Sequence, residues 1–273
     1  MFGSKKLLKS SRSRKSGKKS SAKFFFKFVL IVISTMTLLS GISYISKLKS
    51  ITIASINFEG NLSVKSSDLK AFVSSALNGS YGHILAKSNS LIYPKGDLKN
   101  KLLNNFTRIK NVELKLKDFQ TLNVLITERK PVALWCDQKC YFLDEEGFVF
   151  DEAPQISGSV YTHYHGFISD ENIIGKTFLN SSDFKDLSHF VSNLKNEQIN
   201  ITDIFYKQEQ EFEAVVEGGG KILFNKKTSF ENTLENLNSV LEDYKVENKN
   251  GDFFKNLDYV DLRFGNKIYY KKH

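Results

Sequence analysis

Acidic residues are absent from this chain until Glu59, and only two cysteines occur in 273 residues. The scarcity of cysteine excludes a disulfide-rich scaffold and a four-thiolate zinc site. The missing acids make the amino-terminal stretch a cation. Lys5, Lys6, Lys9, Arg12, Arg14, Lys15, Lys18, Lys19 and Lys23 give the first 23 residues a charge of +9, equal to the formal net charge of the whole chain. Twelve of the 39 Lys and Arg precede residue 50, which leaves 27 against all 30 acids in residues 50–273, a net of −3. A nucleic-acid binder spreads its basic residues over a folded domain as a phosphate footprint, so this distribution argues against nucleic acid as a partner. Long apolar runs are scarce as well. A single one, with 41% hydrophobic residues and a mean hydropathy of −0.30, excludes a polytopic membrane protein and a wholly disordered chain.

That run is FVLIVISTMTLLSGISYIS, nineteen uncharged residues from Phe28 to Ser46, with Phe24, Phe25 and Phe26 extending it beyond Lys27. As a helix it measures about 28 Å, close to the roughly 30 Å hydrocarbon core, so residues 28–46 can span a membrane. Lys27 can snorkel to the headgroups at one end, and Tyr44 suits the interface at the other. The basic tail, residues 1–27, then stays cytoplasmic and the chain after Lys47 is exported. A cleaved signal peptide is the competing reading, with Gly41-Ile42-Ser43 as a small-residue cleavage site. The run exceeds the 7 to 15 residues usual for a signal core, which favours the anchor. The Ser/Gly/Lys tail cannot bury a core and reads as disordered, drawn to anionic lipid by up to about 1 kcal/mol per basic residue near the surface.

The exported part reads as α+β. Residues 51–58 form a strand whose phase break between Ile53 and Ile56 implies a bulge or a start near Ala54. Leu69, Phe72, Val73, Ala76 and Leu77 follow helical spacing, with Ser66 or Ser67 as cap, Asp68 in the first turn and Gly79 as stop. Leu98, Leu102 and Phe106 mark a second helix after Pro94-Lys95-Gly96, and alternating Val112, Leu114, Leu116 and Leu122, Val124, Ile126 mark two strands. Residues 50–128 are thus a β-α-α-β-β unit. Residues 129–273 turn mostly β, with strands at VALWC, CYFLD, FVF, VYTHYH, 199–206, 211–217 and KILF, helices over 183–195 and 229–244, and a final pair LDYVDLRF and KIYY around Gly265-Asn266.

No motif assembles a catalytic, cofactor or metal site. Cys136 and Cys140 flank a three-residue loop, so in a hairpin they would face each other at a separation that suits a disulfide; free thiols are the alternative. His163 and His165 fall on one face of a strand, but two ligands do not make a metal site. Gly218 to Lys221 lacks phosphate-loop spacing and reads as a hairpin turn, and Ser188-His189 shows no nucleophile elbow. Asn61-Leu62-Ser63 and similar triplets are expected by chance in a chain rich in Asn and Ser.

Four short motifs in order, INFEGN (Ile56 to Asn61), LITERKPVALW (Leu125 to Trp135), FLDEEGFVF (Phe142 to Phe150) and YVDLRFGNKIYYK (Tyr259 to Lys271), resemble the FtsQ/DivIB family of bacterial division proteins. The resemblance implies a polypeptide-transport-associated (POTRA) domain at 50–128, a β domain at 129–273 with partner-binding terminal strands, and a non-enzymatic scaffold at the division septum. It also implies capture of FtsB/FtsL-type (DivIC/FtsL) bitopic partners and other divisome proteins, with a role in controlling septal cell-wall synthesis. The chain departs from the family in its cysteine pair and in the long stretch from Tyr81 to Tyr93. The expected partner site is Tyr259, Val260, Asp261, Leu262, Arg263 and Phe264. Alternation would send Val260, Leu262 and Phe264 inward and leave Tyr259, Asp261 and Arg263 facing out, Tyr259 as an aromatic anchor and Arg263 as a contact to an acidic partner; a purely structural strand already paired on both sides is the alternative. A membrane-anchored envelope enzyme such as a hydrolase, and a polypeptide transport or assembly factor, are the alternatives. A reporter active only outside the cytoplasm should work when fused after His273. A carboxy-terminal reporter active only in the cytoplasm, or a mature amino terminus just after Ser43, would refute this topology.

Overall fold

The computed structural model describes residues 18–155, 160–168, 172–207, 210–247, 253–265 and 267–272, so the first seventeen residues of the basic tail lie outside it. Helix α1 (Lys18–Ser46) starts ten residues before Phe28. Residues 18–27, expected as disordered tail, are helical because no Pro or Gly interrupts the approach to the apolar run. Its stretch Lys23–Ser46 is long and apolar enough to cross a membrane, and the most apolar part of that stretch is not buried inside the protein. Phe24 is 76% exposed, so the helix does not serve as a core element.

The chain then runs β1 (Ser55–Glu59), α2 (Ser66–Leu77), β2 (Ser80–Tyr81), β3 (Leu85–Ala86), α3 (Lys95–Asn105), β4 (Ile109–Lys117) and β5 (Thr121–Glu128). These strands make one sheet in the order β1-β5-β4 and a small ladder β2-β3. The late start of β1 follows from a single 3-10 turn at Lys49–Ile51. In α2 the i, i+4, i+8 positions Leu69, Val73 and Leu77 are buried, each contributing about 1.5–3 kcal/mol of apolar transfer. Leu98 and Leu102 do the same for α3.

Two compact units divide the chain. One holds the residues up to Asn57 with Lys70–Lys95 and Lys115–Asn123; the other holds Phe58–Leu69, Gly96–Leu114 and Val124–His273. In the first, α1 ends against the β2-β3 ladder. Ser46 is buried, its hydroxyl accepts from Ala86 N at 3.2 Å, and its carbonyl accepts from Asn89 Nδ2 at 2.9 Å.

The second unit contains β6 (Ala133–Cys136), β7 (Cys140–Leu143), β8 (Val149–Glu152), β9 (His163–His165), α4 (Ser181–Asn196), β10 (Ile201–Tyr206), β11 (Glu211–Val216), β12 (Lys221–Asn225), α5 (Phe230–Glu247), β13 (Leu257–Phe264) and β14 (Lys267–Lys272). Nine strands form one mostly antiparallel sheet in the order β14-β13-β12-β11-β10-β9-β6-β7-β8. Phe184, Leu187, Phe190 and Leu194 of α4 and Leu237 of α5 join Ile204, Ala214, Ile222, Phe224, Val260 and Leu262 in its core. Asn180 caps α4 by accepting from Asp183 N. Between β6 and β7, Cys136 pairs with Cys140 across the ladder and the two are joined by a disulfide, with Cα atoms 4.1 Å apart.

Adjacent charges at the end of β5 tie distant segments of this unit together. The Glu128 carboxylate accepts from the backbone N–H groups of Leu62, Ser63 and Val64 at 2.8 to 3.0 Å. Gly60 lets the chain turn into that position: its φ is +86°, and a Cβ there would lie 2.2 Å from the carbonyl oxygen of Ile126. Arg129 donates to the buried Asp144, donates to the Thr107 carbonyl at 3.1 Å, and lies 3.9 Å over the Phe148 ring. Asp144 also accepts from Glu146 N and Phe148 N at 2.8 and 3.0 Å, which shapes the turn between β7 and β8. Arg108 pairs with Asp151, and Thr107 Oγ1 donates to the Phe150 carbonyl at 2.7 Å.

Burial pushes the Glu128 carboxyl up, and the N–H groups of Val64, Ser63 and Leu62 outweigh it, holding the group below its ordinary pKa. The stability it adds is therefore present above its unfolded value and is lost as pH falls through its folded one. Glu128→Gln should cost about 1–2 kcal/mol at pH 7, with the deficit shrinking below about pH 4. Denaturant unfolding of the detergent-solubilised chain, followed through the buried Trp135, checks both; an equal deficit at all pH values would contradict the charge-based account. Non-reducing mass spectrometry should find Cys136 and Cys140 lighter by about two daltons than the reduced form, and two alkylatable thiols in native protein would contradict the bond.

Candidate functional site

Tyr259–Phe264 lies within β13, one strand in from the end of the sheet. β13 runs parallel to β12 through Ile222↔Val260 and Leu223↔Asp261, and antiparallel to β14 through Val260↔Tyr270 and Asp261↔Tyr269. Both of its edges are occupied, so a partner strand cannot add to it directly. The facing pattern also differs from strict alternation. Val260 and Leu262 are buried as expected, but Asp261, expected outward, is 5% exposed and Phe264, expected inward, is 57% exposed. The ladder to β14 shifts register between Leu257/Tyr259 and between Asp261/Phe264, and a one-residue shift turns the following side chains to the opposite face.

Asp261 accommodates burial because Arg263 clamps it, Nε and Nη2 donating to its two oxygens at 2.9 and 2.6 Å. Arg263 Nη1 donates to Glu211 Oε2 of β11 at 2.7 Å. Hydrogen bonding to Asp261, joined by Glu211, holds the guanidinium above its ordinary pKa. Arg263, expected to reach an acidic partner, is committed to two carboxylates of its own chain. Tyr259 is half-buried opposite Lys271.

The open edge belongs to β14, beyond which no strand lies among the described residues. Tyr269 and Tyr270 are about half exposed, and Phe264 meets Tyr269 edge-on with ring centroids 5.5 Å apart. Lys271 pairs with Asp258 at 2.6 Å, and Lys272 lies 5.8 Å over the Tyr270 ring. At the other end of the sheet β8 is covered: Val149 N donates to Lys176 O, and Gly175 N to Val149 O, both at 2.8 Å. The uncovered edge is therefore aromatic and lysine-rich. It can extend the sheet by main-chain hydrogen bonds while the rings supply anchoring area and the lysines favour an acidic strand. The partner residues expected from the sequence lie on β13 and do not include Tyr269 and Tyr270. The signal was their adjacency, since neighbouring residues of a strand point to opposite faces and at least one ring must leave the core side.

His163 and His165 share a face of β9, as alternation requires, and both approach Asp203 of β10. His165 Nε2 is 2.8 Å and His163 Nδ1 3.5 Å from the same carboxylate oxygen. The second nitrogen of His165 lies 3.1 Å from the Cys136 carbonyl, and its ring stacks on Phe205. Burial pushes Asp203 up, and hydrogen bonds from His165 and Thr202 outweigh it, so its pKa is lowered. Among the described residues no group of three or more His, Cys, Asp or Glu side chains is arranged to hold a metal ion. A concavity of about 280 Å³ beside α4 is lined by Asp186, His189, Asn193 and Lys226. Its Lys226 is paired with Asp183, and His189 lies 3.3 Å from Asn193. No protein-family model and no curated protein matches the chain.

Proposed function

We propose that this protein is a non-enzymatic divisome scaffold of the FtsQ/DivIB type. It is anchored once in the cell membrane with its amino terminus cytoplasmic, and binds FtsB/FtsL-type (DivIC/FtsL) partners outside the cytoplasm to help coordinate septal cell-wall synthesis. In this reading residues 50–128 act as a POTRA domain and residues 129–273 as the β domain. The observation that carries the reading is the uncovered β14 edge, reached through one of the four motifs that resemble the family. The order of β1, α2, α3, β4 and β5 after a membrane-length helix supports it. A scaffold needs an edge and an anchor and needs no catalytic cluster, and the β14 edge and the membrane-length stretch of α1 support this reading.

The site moves outward from the sequence expectation by one strand, so that partner residues pair with β14 and Tyr259 contributes from the row behind. Tyr270→Ala should weaken binding of an FtsB/FtsL-type exported segment by about 2 kcal/mol, roughly thirtyfold, with little loss of fold stability. Titration calorimetry against the folded variants measures this. Normal affinity in Tyr269→Ala, Tyr270→Ala and Tyr259→Ala alike would place the site elsewhere.

A further inference from the structure

The stretch Tyr81 to Tyr93 stands out in the sequence as a long passage between two helices, and the structure folds it onto the end of α1. Besides the hydrogen bonds at Ser46, whose hydroxyl also donates to the Ile84 carbonyl at 3.4 Å, Ser90 N donates to Ile51 O at 2.8 Å and Ile53 N to Ser88 O at 2.9 Å. The passage is thus fixed to the point where α1 ends. Ile84 lines one groove with Leu39, Ser40, Ser43 and Tyr44 of α1 and with Lys47 just after it. Leu39 lies seven residues before Ser46, about 10 Å back along the helix at 1.5 Å per residue. The β2-β3 turn therefore reaches alongside the apolar helix.

Its surface is unusual for a water-facing loop. Leu91 is 66% exposed, Ile92 40% and Tyr81 39%, and Tyr44 on α1 is 73% exposed. No acidic residue occurs between Asp68 and Asp97, while Lys87 lies 5.9 Å over the Tyr81 ring and Lys47 and Lys49 follow α1. Exposed aliphatics, tyrosines and lysines without a neighbouring acid are the composition of a surface that sits at the headgroup level of a bilayer.

We propose that residues 80–92 form a collar that embeds in the membrane interface around the exit of α1, with Tyr81, Ile84, Leu91 and Ile92 among the acyl boundary and Lys87 at the phosphates. The collar fixes the first unit to the lipid surface instead of leaving it on a free tether. This rests on α1 spanning the membrane, and it names a contact which that reading does not require.

The full chain, with Trp135→Phe to remove the background, is reconstituted in phosphatidylcholine/phosphatidylglycerol vesicles whose acyl chains carry bromine near the headgroup. Leu91→Trp and Tyr81→Trp report on the collar, and Tyr44→Trp reports on the helix. Both substituted collar positions are exposed, so the fold tolerates the change. All three tryptophans should be blue-shifted and quenched. Quenching at position 44 with none at 81 and 91 would overturn the collar while leaving the anchor intact, and would mean that this face meets water or another protein. Absence of quenching at all three would overturn the spanning helix itself, and the collar with it.

Discussion

Glu128 and Arg129 are sequence neighbours of opposite charge, and the second unit is organised around the different directions in which they are held. The carboxylate gathers three backbone N–H groups from the turn that follows Gly60. The guanidinium reaches the nearly inaccessible Asp144, which shapes the β7-β8 turn, and covers the face of Phe148. Removing one member of a buried ion pair commonly costs about 3–5 kcal/mol, because the survivor is left charged and uncompensated. Segments more than sixty residues apart in the chain are thereby positioned from two consecutive residues. The short motifs around Gly60, Glu128 and Asp144 are the points of contact of this one arrangement.

Much of this was readable in advance where the determinants are local. The spacing of Leu69, Val73 and Leu77 and the alternation of Leu122, Val124 and Ile126 specify a buried face without reference to the rest of the chain. The turn at Gly218–Gly220, where all three residues have positive φ, was likewise announced by composition. What could not be read was set by pairing over distance. Whether β13 is an edge depends on β12 and β14 choosing it as neighbour, and no periodicity within Tyr259–Phe264 records that choice. The exposure of Phe264 follows a register shift against β14, and Asp261, buried in line with Val260 and Leu262 where both faces of the strand are covered, is tolerable inside because Arg263, two residues on, folds back to it. The early start of α1 has a different origin, since residues 18–27 are polar enough to resemble a tail yet contain nothing that stops a helix already under way.

The two ends of the large sheet are treated in opposite ways. At β8 both backbone groups of Val149 are met by the segment around Lys176, while beyond β14 no strand lies among the described residues and lysines stand alongside. Charged residues on an open edge discourage indiscriminate pairing, and exposed tyrosines reward a partner that brings complementary area.

The three-residue strand β9 joins two runs of strands that are neighbours in the chain. On one side β6, β7 and β8 follow one another as antiparallel hairpins; on the other β10, β11 and β12 do the same. β9 meets both flanking strands in parallel, through two pairs with β6 and three with β10. Hairpins close quickly because their partners are near in sequence, whereas parallel pairing across long separations must wait until chain entropy has been overcome. The sheet is in effect three hairpin runs, β6-β8, β10-β12 and β13-β14, joined by parallel splices at β9 and between β12 and β13. Until those splices are made each run carries an unpaired border, so a partly folded chain is at its most open to pairing with another copy.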